Sequence, residues 1–203
     1  MIFKILYIIA GYIFWITTQR ILGLDVISQH RVIDRMHNFV RPINDYLRNN
    51  PHIMRYNFIL SSLLIDINVS YVVLKYLLLD DDTRTITLLF SGFVLRQICQ
   101  YTNRLPIPNN LIWFNPGFPS LFVTYHVEND FFFSGHTLIA FVTGLDIITN
   151  GNILFKIYGT LFILYELAVI SFTFSHYFMD IYAAIATYFM LNYFYDSVNL
   201  HIF

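Results

Sequence analysis

Hydrophobic residues in this chain come in long unbroken runs rather than in strand-like alternation. Six stretches are apolar over a length that can cross a bilayer as a helix, which takes about 17–25 residues. They are residues 2–18, 58–79, 85–101, 131–149, 153–174 and 177–195. The second is cleanly bounded by Asn57 and the acidic run Asp80-Asp81-Asp82, whereas the third is short and carries Arg96. Only Ser175-His176 separates the fifth from the sixth. The pattern predicts an all-α, polytopic membrane helix bundle of about six transmembrane helices, forming a single domain over 1–203. Lys4 followed by apolar residues also fits a signal peptide, but Ile16-Thr17-Thr18-Gln19-Arg20 lacks a small-x-small cleavage pattern. The first stretch is therefore read as a retained helix.

The connections are unequal. Those at 80–84 and 150–152 are short, those at 19–57 and 102–130 are long, and the long pair holds all six prolines. A chain that reverses at every span brings the loops after spans one, three and five to one face. Structured polar material is thus expected on one side, since long loops in compact domains tend to carry function and proline restricts the backbone.

Composition agrees and excludes other classes. Hydrophobic residues make up 57% of the chain and charged residues 12%, against about 25% charged in soluble domains. Such a chain cannot coat a water-facing surface, and it is too apolar to be disordered. Twelve basic against thirteen acidic residues give a net charge of −1 and no electrostatic reason to expect a nucleic acid partner. The single cysteine, Cys99, excludes an internal disulfide and a cysteine-built zinc site.

Helix parity brings three polar constellations to the same face. One is Asp130-Phe131-Phe132-Phe133-Ser134-Gly135-His136-Thr137, at the start of span four. Another is His176-Tyr177-Phe178-Met179-Asp180, at the start of span six. The third runs from Arg96 to Arg104-Leu105-Pro106-Ile107-Pro108, at the end of span three. His176 and Asp180, four apart, share one helix face. A carboxylate there can accept from the imidazole Nδ1–H, which fixes the tautomer and leaves Nε2 free as base or nucleophile. The alternative is a helix-start pair at the interface, but ionisable groups at membrane depth are costly and usually functional. Ser134-Gly135 before His136 allows close backbone approach and presents N–H groups to an anion. Two histidines around a phosphate-sized site are what phosphoryl chemistry needs, one to attack phosphorus and one to move the proton. Arg96 and Arg104 add positive charge. Arg96 can equally be structural, paired with Asp66 or Asp146. Asp66, Asp146 and Glu166 lie too far along their spans to be given a role. His30, His37 and His52 lack metal-ligand spacing and read as solvated.

These motifs resemble the sphingomyelin synthase branch of the lipid phosphatase superfamily. Asp130-x-x-x-Ser134-Gly135-His136-Thr137 is similar to that family's third motif, with Glu128 and Asn129 in place of its Cys and Gly. His176-Tyr177-x-x-Asp180 is similar to its fourth, Leu105-Pro106-Ile107-Pro108 to the close of its third span, and Pro42-Ile43-Asn44-Asp45 to a degenerate first motif. The stretch from Ser134 to Asp146 also resembles the plant-type phosphatidylcholine:diacylglycerol cholinephosphotransferases, and the sequence does not separate the two relatives. The resemblance covers about residues 41–195. It implies transfer of phosphocholine, or a similar phospho-alcohol, from a glycerophospholipid to diacylglycerol or ceramide. His176 would be the nucleophile forming a phospho-histidine, Asp180 its orienting carboxylate and His136 the acid–base partner. Ser134, Gly135, Asp130, Tyr177, Arg96 and Arg104 would surround the substrate. No metal and no soluble cofactor is required, and homo-oligomer formation is left open.

Two other readings remain. A lipid phosphate phosphatase would use a Lys-x6-Arg-Pro motif and an arginine shortly before the second histidine, and the chain has neither at 97–104 or 171–175. A scaffold or transporter would have no need of either histidine. For the membrane face, the arginines of the first loop argue a cytoplasmic site by the positive-inside rule, whereas the resemblance implies a lumenal or exoplasmic one, in an endomembrane or the plasma membrane.

Overall fold

The computed structural model describes residues 2–23, 32–79, 83–125 and 131–198, and every regular element among them is a helix. In order these are α1 (Ile2–Gly23), α2 (Arg35–Asn49), α3 (Pro51–Leu78), α4 (Arg84–Thr102), α5 (Gly135–Asn150), α6 (Ile153–Thr173) and α7 (Phe178–Val198). All but α2 fall on the six apolar stretches. Three of them, α1, α3 and α6, are long and apolar enough to cross a membrane. By contrast α5 has 16 residues, and α4, with 19, carries Arg84 and Arg96.

Three boundaries differ from the sequence expectation, each for a local reason. The first long loop contains α2, although Pro42 lies inside it. Asp34 caps this helix, accepting from the backbone N–H of Met36 at 2.9 Å and of His37 at 3.4 Å. Its buried residues His37, Val40, Asn44 and Leu47 recur at spacings of three and four, which is one helical face. Burial of that face against α6 offsets the hydrogen bond that proline removes. Next, α3 starts at Pro51 rather than 58, proline being well suited to the first helical position. Finally, α5 starts at Gly135 rather than 131 because Ser134 caps it.

The bundle buries a set of polar side chains and exposes apolar ones. Ser61, Asp66, Asn68, Arg96, Gln97, Glu166 and Asp180 are all buried. Phe3, Leu6, Ile13, Leu74, Leu161, Tyr182 and Phe189 are exposed. Lipid, not water, is the solvent for such a surface. Between the helices lies an apolar core in which Ile65, Val69 and Val72 of α3 meet Leu138 and Val142 of α5, Phe162 of α6 and Ala184 of α7.

Small residues let α5 and α6 pack backbone to backbone. A Cβ on Gly159 would lie 2.8 Å from the Gly144 carbonyl oxygen, and one on Gly144 would lie 2.6 Å from Ile163 Cγ1. At the end away from the long loops, Lys75 Nζ donates to Asp146 at 3.2 Å and the Thr85 hydroxyl to the same carboxylate at 2.9 Å. At the other end, Asp66 accepts the backbone N–H groups of Leu121 and Phe122 at 2.9–3.1 Å, and the Ile112 N–H donates to the Thr173 carbonyl at 2.8 Å. These bonds fix the second long loop against α3 and α6.

Candidate active site

The turn between α6 and α7 carries the first histidine. Phe174 ends α6 in the left-handed region, at φ 55°. Its carbonyl-side neighbours Ser175 and His176 therefore turn back under the bundle instead of continuing the helix. Asp180, fully buried in the first turn of α7, accepts the Tyr177 N–H at 3.0 Å through Oδ2. That oxygen lies 3.5 Å from His176 Nδ1, and the Phe131 carbonyl oxygen lies 3.4 Å from the same nitrogen. The Phe131 carbonyl can only accept, so Nδ1 carries the hydrogen and Nε2 keeps its lone pair. Burial, assisted by the Arg96 charge, holds the His176 imidazole well below its ordinary pKa, so the ring is neutral.

His136 follows the capped start of α5. Its Nε2 lies 3.4 Å from the Tyr125 hydroxyl, which in turn lies 2.6 Å from the Ser62 hydroxyl. His136 and His176 both line one cavity of about 250 Å³, together with Phe58, Trp113, Tyr125 and Phe131.

The remaining sequence-selected residues divide. Gly135 is buried beside Arg96, where an added Cβ would come within 3.3 Å of Nε. Arg96 is bonded to neither Asp66 nor Asp146, both of which are engaged elsewhere. Its Nε donates to the Phe133 carbonyl at 2.7 Å, and Nη1 donates to Gln19 at 2.8 Å and Gln100 at 3.3 Å. The guanidinium thus braces the chain that enters α5 and ties it to α1. Ser134 is not among the residues that line the cavity. Its Oγ accepts from Thr137 N and Thr137 Oγ1, at 3.3 and 3.0 Å, as an N-cap. Tyr177 spends its hydroxyl on the Pro106 carbonyl at 2.9 Å. Arg104 is exposed in the extended chain after α4 and does not line the cavity. Of the three consecutive phenylalanines, Phe131 alone faces the cavity. Asp130, with Glu128, Asn129 and His30, lies outside the described residues.

Three participants carried no sequence signal that was used. His37, read as solvated, is buried, and its ring stacks on Phe174 with centroids 4.1 Å apart. Asp34 accepts the Phe178 N–H at 2.7 Å through Oδ2, capping the start of α7 as well as of α2. Tyr125 sits in a loop without periodicity. The Asp34–His37 pair was recognisable only as a helix cap, had α2 been expected. The degenerate proline motif proves local to this end as well, since Asn44 Nδ2 donates to the Phe172 carbonyl at 2.8 Å. Among the described residues no group of three or more His, Cys, Asp or Glu side chains is arranged to hold a metal ion.

Residues 33–197 match the model of the AtPDCT1/2 family. No curated protein and no solved structure matches the chain. The matched segment runs from the cap of α2 to the end of α7, so it includes the cavity and both histidines. Of the two relatives that the sequence motifs left open, the match selects the cholinephosphotransferase.

Proposed function

The chain belongs to the AtPDCT1/2 family, the phosphatidylcholine:diacylglycerol cholinephosphotransferases of the lipid phosphatase superfamily, and from that premise we propose that it moves phosphocholine from phosphatidylcholine to diacylglycerol within the membrane. The observation that carries this reading is the pair His136 and His176 lining one cavity, with Nδ1 of His176 turned toward Asp180.

In the first half-reaction Nε2 of His176 attacks the phosphorus of the donor. A P–N bond forms, the P–O bond to glycerol breaks, and His136, having taken up a proton together with the anionic donor, gives it to the departing oxygen. Diacylglycerol leaves and phosphocholine stays on His176. A second diacylglycerol then reverses the steps: its hydroxyl gives a proton to His136, its oxygen bonds to phosphorus, and the P–N bond breaks. Asp180 stabilises the charge on His176 while the ring carries the phosphoryl group. Water competes poorly in a cavity walled by Phe58, Trp113, Tyr125 and Phe131. That favours transfer over hydrolysis.

All helices but α2 are read as membrane spans, in one domain. Besides α1, α3 and α6, α4 and α7 support this with exposed apolar faces, including Val94 and Ile98 on one and Tyr182 and Phe189 on the other. In this reading α2 lies across the site end and α1, outside the family match, supports Arg96 through Gln19.

Purified protein in liposomes, given head-group-labelled phosphatidylcholine with diacylglycerol or with ceramide, tests the proposal. Label is expected in new phosphatidylcholine with diacylglycerol. Label in a ceramide product would reassign the acceptor, and free phosphocholine as the only labelled product would make the protein a phospholipase.

A further inference from the structure

One wall of the cavity has a chemistry that phosphate does not call for. Phe58, Trp113 and Tyr125 stand together there, with ring centroids 5.7 Å apart for Trp113 and Tyr125 and 6.3 Å for Phe58 and Tyr125. Ser61 lies beside them, and its hydroxyl donates to Oε2 of Glu166 at 2.7 Å. Glu166 is fully buried, one turn along α6 from the cavity-lining Val169 and Ile170. Its other oxygen, Oε1, has no hydrogen-bond partner, and the residue has no ion-pair partner among the described residues.

A carboxyl group kept in such a place without a cation is expensive. The expense is offset if the cation arrives with the substrate, which also favours the ionised carboxylate. Aromatic faces attract a cation through their negative π surface. A primary ammonium would bring three N–H donors in need of acceptors, whereas Phe58, Trp113 and Tyr125 offer it ring faces. A quaternary ammonium brings none. The wall also starts within reach of the chemistry, because the Tyr125 hydroxyl touches His136 Nε2. In a phosphocholine group only an oxygen and two methylenes separate the two charges.

We propose that Phe58, Trp113 and Tyr125, with Glu166 as counter-charge held by Ser61, form the subsite for the donor's quaternary ammonium and so select choline over ethanolamine. This rests on the transferase reading of the same cavity, and it assigns to Glu166 a role that its depth in α6 hid from sequence reasoning.

The test compares phosphatidylcholine and phosphatidylethanolamine as labelled donors to diacylglycerol, in liposomes, for the intact chain and for Glu166→Gln, Trp113→Leu and Trp113→Phe. The unaltered chain should prefer phosphatidylcholine. Glu166→Gln and Trp113→Leu should each lower kcat/KM for phosphatidylcholine by about tenfold and for phosphatidylethanolamine much less. Trp113→Phe, which keeps a ring, should retain most of the preference. Equal losses on both donors, or none, overturn the subsite.

A second measurement does not depend on turnover. Trp15 and Trp113 are the two tryptophans, so in a Trp15→Phe background the fluorescence reports on Trp113. Phosphocholine should quench it saturably, phosphoethanolamine should not, and Glu166→Gln should abolish the effect. If no donor is turned over, the transferase reading fails while saturable quenching still upholds the subsite. Absence of quenching overturns it.

Discussion

The Nε2 of His37 lies 2.9 Å from the backbone carbonyl oxygen of His176. A carbonyl can only accept, so His37 is the Nε2–H tautomer. The bond holds the turn that carries His176 from the side opposite Asp180, while the stacked Phe174 holds it from the preceding turn. Removing both contacts frees a segment whose position sets the angle of attack at phosphorus, and small misplacements are costly in such reactions. His37→Ala is expected to lower kcat for head-group transfer by roughly 10²-fold with little change in KM. His37→Gln, which keeps a donor, should recover part of the loss. Unchanged kcat in His37→Ala would remove His37 from the positioning of the site.

His176→Ala should abolish transfer, because it removes the nitrogen that attacks phosphorus in this reading. His136→Ala should slow it by about 10²–10⁴-fold, the usual worth of a positioned acid–base group. Asp180→Asn should also be severely impaired, since the amide cannot offset the charge developing on His176. Labelled donor should leave acid-labile, alkali-stable label on the intact chain and none on His176→Ala. Transfer that survives His176→Ala would disprove the covalent route.

Much of this arrangement was readable from the residues, and what was not has identifiable causes. Six apolar runs gave six of the helices, because length and composition alone decide that a run is helical in lipid. Parity then brought Ser134-Gly135-His136 and His176-Tyr177-x-x-Asp180 to one end of the bundle. The i, i+4 spacing anticipated the proximity of His176 and Asp180, although His176 lies in the turn before α7 and not on a face of that helix. Partners that depend on tertiary packing were hidden. Arg96 finds the Phe133 carbonyl and two glutamines rather than Asp66 or Asp146, a choice that no spacing rule contains. A hydroxyl beside a histidine is ambiguous in sequence, and only the structure shows that Ser134 bonds to Thr137 and Tyr177 to the Pro106 carbonyl. The helix α2 was masked by Pro42, and with it went His37 and Asp34.

The Gly144–Gly159 crossing makes a separate prediction about stability. A side chain at either position meets backbone or a packed isoleucine within 3 Å, so α5 and α6 must separate. Overpacking of this kind typically costs about 1–3 kcal/mol. Gly159→Val should lower the thermal midpoint in detergent and weaken transfer indirectly, by moving both the start of α5 and the end of α6. The exposed Gly117, whose added Cβ would meet nothing within 4 Å, tests a different cost. At φ 72° it is in the left-handed region, so Gly117→Ala should be mildly destabilising through the backbone alone. Gly159→Val proving as mild as Gly117→Ala would contradict the close helix crossing.

Acid should act on stability through His176. Its pKa lies below that of an unfolded histidine, first because the ring is buried and second because the Arg96 charge opposes protonation; the Phe131 carbonyl works the other way. The folded protein therefore holds the ring neutral, while the unfolded chain binds a proton below about pH 6.5. The unfolded state then carries more protons, so stability falls as pH drops, by at most about 1.4 kcal/mol per unit for one such group. The contribution is intact above the unfolded pKa and fades as pH is lowered from there toward the folded value. Unfolding in detergent, followed between pH 7.5 and pH 5, should show a midpoint that drops below about pH 6.5. His176→Asn, which does not titrate, should flatten that slope whatever it does to the midpoint at neutral pH. An equal slope in the two proteins would place the acid sensitivity elsewhere and remove the support that a buried, neutral His176 gives to its role as nucleophile.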